Sequence, residues 1–222
     1  MQTLDLRSWI YSNTPSLLGH CYRRLPGSAS VALTFDDGPY PPALNPALEA
    51  LERNALRATF FFTGVDAAKH PELARACTEH GHETGSHGYE HERCVFLSKE
   101  KLRTSLLRSR DQIQDATGLP CRWFRPPYGW WNPARDRVLV DCHQELVLWS
   151  VMTMDYHSSF TTEFLKDLLH RRLRERDIVV LHANERTTGR VGKAIDCVAA
   201  ILKEKNLSSV TLADALPEAA SA

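Results

Sequence analysis

Short β-branched or aromatic runs alternate along this chain with stretches carrying an apolar residue every three or four positions. That rhythm predicts parallel strands, because parallel neighbours need a long crossover and a helix is the compact way to make one. Ser30 to Phe35 (SVALTF) reads as a strand, and Ala43 to Asn54 as the following helix, with leucines at 44, 48 and 51. Ala58 to Thr63 (ATFFFT) is a second strand. The next helix has Pro71 in its first turn, Glu72 beside it and Gly81 past its end, the expected asymmetry of start and stop residues. Glu83 to Ser86 reads as a third strand, before a long helix from Ser98 to Thr117 that stops at Gly118-Leu119-Pro120. Strands are also expected at Arg122 to Arg125, Leu146 to Ser150, Ile178 to His182 and Ser208 to Leu212, with helices at about 133–142, 161–174 and 191–205. Seven strands in this order suggest a closed or nearly closed barrel, although an open doubly wound sheet has the same periodicity.

A chain of 222 residues, 43% hydrophobic and 24% charged, can bury a conventional core as one domain. Lys+Arg and Asp+Glu balance at 27 each without long runs of either sign, which argues against a nucleic-acid partner. Six cysteines (Cys21, Cys77, Cys94, Cys121, Cys142, Cys197) lie far apart with no CxxC, and are expected as reduced, mostly buried thiols. The start, MQTLDLRSWIYSNT, has Asp5 and Arg7 where a secretory apolar core would lie, and no stretch approaches 18 apolar residues. A cytoplasmic protein is expected.

The unusual polar residues fall at the C-terminal ends of predicted strands: Asp36-Asp37-Gly38-Pro39, Arg125-Pro126-Pro127, Asp155 and His182. In a parallel barrel those ends converge on the face that holds active sites. By itself, Asp-Asp-Gly-Pro is equally a turn. The segment HGHETGSHGYEH concentrates His80, His82, His87 and His91 in a chain with 10 His. His87 and His91 are four apart, which would put both rings on one side of a helical turn, near enough to share an ion. The competing reading is a solvated His-rich loop. His80 falls at a predicted helix C-terminus, where a partly cationic ring is favoured anyway, and His82 begins a strand, a structural position. One carboxylate and two imidazoles leave a coordination position open, as in catalytic rather than structural zinc sites. A cation so held lowers the pKa of water to about 7, and a second aspartate could take the proton.

The succession Thr34-Phe35-Asp36-Asp37-Gly38-Pro39, His87 and His91, Arg125-Pro126-Pro127-Tyr128-Gly129, Met154-Asp155-Tyr156, then Leu181-His182 resembles the polysaccharide deacetylases of carbohydrate esterase family four, over about residues 30 to 212. The resemblance implies an α/β fold, a distorted (β/α) barrel of about seven parallel strands in a single domain. It implies hydrolysis of an acyl group, acetyl foremost, from an N-acylated amino sugar or saccharide, with one divalent metal ion, commonly zinc. By position, Asp36 resembles the general base, and Asp37, His87 and His91 the metal ligands. Arg125 resembles the arginine that orients the base. The backbone N–H of Tyr128 would help hold the oxyanion. His182 resembles the general acid and Asp155 the carboxylate that tunes it, while Tyr156 and Leu181 would wall the acyl pocket.

Two departures loosen the substrate: where the family usually reads Asp-x-x-Asp-Trp, residues 152–156 read Met-Thr-Met-Asp-Tyr. A formyl, ureide or other small amide therefore stands as an alternative substrate, and a non-catalytic glycan-binding module as a remoter one. Trp123, Trp130 and Trp131 cluster around the arginine motif. Core packing is expected for Trp123, and stacking on sugar for Trp130 and Trp131. Residues 1–29, with Trp9, Ile10, Arg23 and Arg24, are expected to pack across the barrel, and a weak membrane-surface contact is the alternative. The end, 217–222, reads as frayed.

Overall fold

The computed structural model describes residues 21–27 and 29–216. Its strands are β1 (Cys21–Tyr22), β2 (Ser30–Asp36), β3 (Thr59–Phe62), β4 (Glu83–Ser86), β5 (Trp123–Phe124), β6 (Glu145–Val147), β7 (Val151–Met152), β8 (Ile178–His182) and β9 (Ser208–Val210). All ladder pairs are parallel, in the order β1-β6-β5-β4-β3-β2-β8-β7, with β9 also on β2. β6 and β7 are near opposite ends of that order yet only three residues apart in sequence, so the sheet has to curl until its ends meet. This is the expected barrel.

The predicted strand at 146–150 is the one that changes most. Leu148 N donates to Tyr22 O, whereas Ser150 N donates to Ile178 O, so the chain switches partners here and divides into β6 and β7. β1 was not anticipated; it comes from the end of the N-terminal extension, pairs with β6 and buries Leu25 completely. An antiparallel bridge from Arg24 to Asp177, with an ion pair at 3.0 Å, closes this seam. The remainder of the expected N-terminal cap, 1–20, and the expected frayed tail, 217–222, lie outside the described residues.

The crossover helices are α1 (Pro41–Arg53), α2 (Gly64–Lys69), α3 (Pro71–Glu79), α4 (Lys99–Thr117), α5 (Asp136–Asp141), α6 (Thr162–Arg172) and α7 (Val191–Glu204), with a short α8 (Leu212–Ala215) at the end. Their limits follow the caps. The Ser98 side chain accepts from Lys101 N to start α4, and Gly118, at φ 72°, stops it. Thr211 closes a capping box with Asp214, which turns the expected end of the last strand into α8.

Strand alternation divides the core into two layers. In β2, Val31, Leu33 and Phe35 pack outward with Leu44, Leu48 and Leu51 of α1, whereas Ala32 packs inside the barrel with Phe61, Trp123 and Ile178. Inward-facing Thr34 and Asp36 continue the inner layer toward the strands' C-terminal ends. In β8, Leu181 joins the outer layer with no exposed surface, and His182 points inward. The expectation that Leu181 walls a substrate pocket is therefore corrected, because period two puts adjacent residues on opposite faces. Leu181→Ala should cost about 2–5 kcal/mol in urea unfolding, the loss for a buried leucine, and leave the Michaelis constant of any hydrolysed substrate unchanged.

Candidate active site

β2 ends on Asp36, and the chain at once turns left-handed through Asp37 (φ 72°) and Gly38 (φ 80°). Gly38 is required there, since a Cβ would come within 2.7 Å of Tyr40 N. The turn sends the two carboxylates in different directions. Asp36 points into the barrel, where Arg125, itself without exposed surface, donates from Nη1 to Asp36 Oδ1 at 2.7 Å. The same guanidinium donates to Thr34 Oγ1 at 2.7 Å, Val147 O at 3.3 Å and Leu148 O at 3.1 Å, over the ring of Phe61. Thr34, two residues before Asp36 on the same strand face, opens that motif but carries no role from the sequence, although alternation alone places it beside Asp36.

Asp37 instead faces two imidazoles. His87 follows β4, and its Nδ1 lies 2.8 Å from Arg125 O, a contact that protonates Nδ1 and turns Nε2 toward Asp37 Oδ1 at 3.7 Å. His91 Nε2 is 3.2 Å from the same oxygen. These three ligand atoms lie within 4.8 Å of one another. The expected helical turn under His87 and His91 does not form. Gly88 (φ 82°) and His91 (φ 58°) shape a loop, held where Gly64 N and Val65 N at the start of α2 donate to Gly88 O and Tyr89 O. His80 caps the end of α3 and His82 is buried against Phe60, so neither belongs to the cluster.

Burial acts against the charge on Asp37, but the hydrogen bond from His91 and the nearby His87 hold its carboxyl well below the usual range. Burial also pushes the His87 imidazole below its ordinary value, keeping it in the neutral form that binds metals. Two imidazole nitrogens and an ionised carboxylate oxygen converging on one point are a donor set suited to a divalent cation.

His182 and Asp155 form the opposite wall. Asp155 Oδ1 is 2.8 Å from His182 Nδ1, and Asp155 Oδ2 accepts from His182 N at 2.7 Å. Thr153 donates to the same carboxylate at 3.0 Å. Burial alone would depress the His182 imidazole, but the carboxylates around it, Asp155 foremost and then Asp36 and Asp37, together outweigh burial and lift the ring to about 9. Tyr156 meets His182 edge to face, with ring centroids 4.8 Å apart. Tyr128, left-handed at φ 64° and half exposed, packs its ring 4.9 Å from that of His91, and Trp130 lies beside it at 5.8 Å. Trp131 is elsewhere: it is buried against Phe124 and donates to Asp136 Oδ1 at 2.8 Å. Its expected stacking on sugar is corrected, while Trp123 packs in the barrel interior as anticipated.

Residues 24–147, more than half of the chain, match the polysaccharide deacetylase family. The chain belongs to that family. Among its relatives, the peptidoglycan-N-acetylglucosamine deacetylase PgdA of Listeria monocytogenes is 30% identical over 182 residues, 82% of this chain. The chain spans only 38% of PgdA's own length. The chitooligosaccharide deacetylase of Azorhizobium caulinodans is 29% identical, over 75% of this chain and 80% of that protein. A mutant of the Bacillus anthracis protein BA3943, a family pseudoenzyme with restored enzymatic activity, superposes with a TM-score of 0.82 at 27% identity, covering 91% of this chain and 73% of that one.

The charge balance around Arg125 is directly testable. Arg125→Met should cost about 3–5 kcal/mol in chemical unfolding, because it leaves Asp36 buried without its counter-charge, and adding Asp36→Asn should restore part of that loss.

Proposed function

We propose that this deacetylase-family chain hydrolyses the amide of an N-acylated amino sugar, releasing acetate, with one divalent ion, zinc foremost, held by Asp37, His87 and His91. The observation that carries the reading is the convergence of Asp37 Oδ1 with Nε2 of both His87 and His91, beside an Asp36 already fixed by Arg125. The ion would supply Lewis acidity to a water and to the acyl carbonyl. Asp36 accepts the proton that the attacking water must lose, and Arg125 prevents it from rotating away. The N–H of Tyr128, in a left-handed turn above His91, donates to the developing oxyanion. His182 gives its proton to the departing nitrogen, and Asp155 keeps that proton available by holding Nδ1.

Tyr156, edge-on to His182, closes the acyl end of the cleft, and Tyr128 with Trp130 forms an aromatic rim for the sugar. The pseudoenzyme among the structural neighbours has the same fold, so activity here rests on the side chains: Asp36, Asp37, His87, His91 and His182 are all present and assembled. Six free cysteines support work in a reducing compartment. No helix among the described residues is long and apolar enough to cross a membrane.

A second reading, hydrolysis of a small formyl or ureide amide, is favoured by Met152 and Tyr156, which stand where the family usually carries Asp and Trp. Metal analysis of the purified chain, with assays for acetate from chitooligosaccharides and formate from small amides, separates the two. Acetate is the expected product, and activity on small amides alone would replace the first reading with the second.

Asp36→Asn should retain the metal while acetate release falls about 10²–10⁴-fold, the usual contribution of a positioned base. Parallel loss of metal and activity would make Asp36 a ligand. Because Asp155 raises the His182 pKa, the acid form is complete at low pH and is lost as pH rises through about 9. Asp155→Asn should therefore move the alkaline limb of kcat/KM to lower pH.

A further inference from the structure

We infer that Asn184 is a positioning residue for the metal site: it occupies one oxygen of Asp37 and leaves the other to face His87 and His91. The inference rests on the metal-site reading above and adds to it a residue outside the recognised motifs. Asn184 Nδ2 donates to Asp37 Oδ2 at 2.6 Å, whereas both imidazole nitrogens face Oδ1. A carboxylate with one oxygen saturated in this way presents the other as a single ligand atom with a fixed direction.

The amide orientation follows from its neighbours. Asn184 Oδ1 accepts from Arg186 N at 2.9 Å, so the carbonyl end faces the backbone and the NH₂ end must face Asp37. Asn184 is held as firmly as the residue it holds. It opens a one-turn helix, Glu185–Thr187, through a reciprocal cap in which Asn184 N donates to Thr187 Oγ1 at 3.1 Å. Thr187 has no exposed surface, and its hydroxyl lies 2.9 Å from His182 O. Just before it, Ala183 N donates to Asp36 O at 3.1 Å. One short turn thus touches the backbone of the base, the side chain of the metal carboxylate and the backbone of the acid. Mispositioning any of the three would be felt by the other two through this turn.

Serine caps a helix about as well as asparagine but is too short to reach Asp37, so Asn184→Ser separates the two roles of the side chain. Zn²⁺ affinity of the full chain would be measured by competition with a chromophoric chelator, alongside the melting temperature without metal and the visible spectrum of the Co²⁺ form. Asn184→Ser should bind Zn²⁺ roughly ten- to a hundred-fold more weakly, the usual loss on removing a partner of a metal ligand. Its Co²⁺ spectrum should change, while its metal-free melting temperature should match wild type. Wild-type Zn²⁺ affinity in Asn184→Ser would overturn the inference alone, as would a weakened affinity paired with a lowered metal-free melting temperature, which would mark a purely structural role. A wild-type chain that binds no Zn²⁺ would overturn the metal-site reading itself, and the role of Asn184 with it.

Discussion

A guanidinium with no exposed surface sits inside the barrel, and the upper half of the structure is arranged around it. Burying an isolated cation would cost several kcal/mol, so Arg125 must be surrounded by acceptors and a counter-charge. Asp36 supplies the charge, and Thr34 and the carbonyls of Val147 and Leu148 supply the acceptors. Those partners come from β2, from the last residue of β6 and from the seam just after it, so the pair ties distant parts of the barrel together. The Arg125 carbonyl reaches a further element by taking His87 Nδ1. One residue therefore fixes the direction of the proposed base Asp36 and the tautomer of the proposed ligand His87. In the lower half Ala32, Phe61, Trp123, Val147 and Ile178 fill the interior with apolar contacts, and the buried charge of Asp177 is met at the seam by Arg24.

The site joins two electrostatic environments a few ångströms apart. Around Asp37, two imidazoles face a carboxylate, an arrangement that favours an ionised acid and a neutral, buried His87. Around His182, a buried carboxylate favours the protonated ring. Neighbouring groups pushed in opposite directions are what acid–base division of labour requires. The backbone carries part of the cost. Asp37, His91, Tyr128 and Met154 are all left-handed at or beside this site, each a conformation that L-residues avoid. The barrel below holds them in place, since each follows a strand end locked in parallel register.

Much of this was legible before folding, for identifiable reasons. The strand–helix alternation survives in the structure because burial periodicity is a local property, and Pro71, Ser98 and Gly118 mark helix limits through their own backbone chemistry. Thr34 was legible too, had alternation been carried two residues back from Asp36. Misreadings came where local pattern and tertiary packing compete. The 146–150 run looks continuous but changes partners at a seam visible only with β1 in place. His87 and His91 have helical spacing but converge through a loop, since Gly88 and the start of α2 decide the path. Trp131 and Leu181 are apolar neighbours of residues that line the candidate site, and sequence proximity cannot say which side of the backbone faces the cleft.

The sequence by itself determined the class of fold, the identities of the carboxylates and imidazoles, and their placement at the ends of strands. Those are consequences of period, propensity and residue chemistry, and all of them act within a few positions. Only the tertiary structure decided that Asp36 belongs to Arg125 and Asp37 to the imidazoles, and that Asn184 takes the second oxygen of Asp37. The Asp36–Arg125 and Asp37–Asn184 pairings join residues 89 and 147 positions apart, and their energies come from burial and hydrogen-bond geometry that exist only after the barrel has closed.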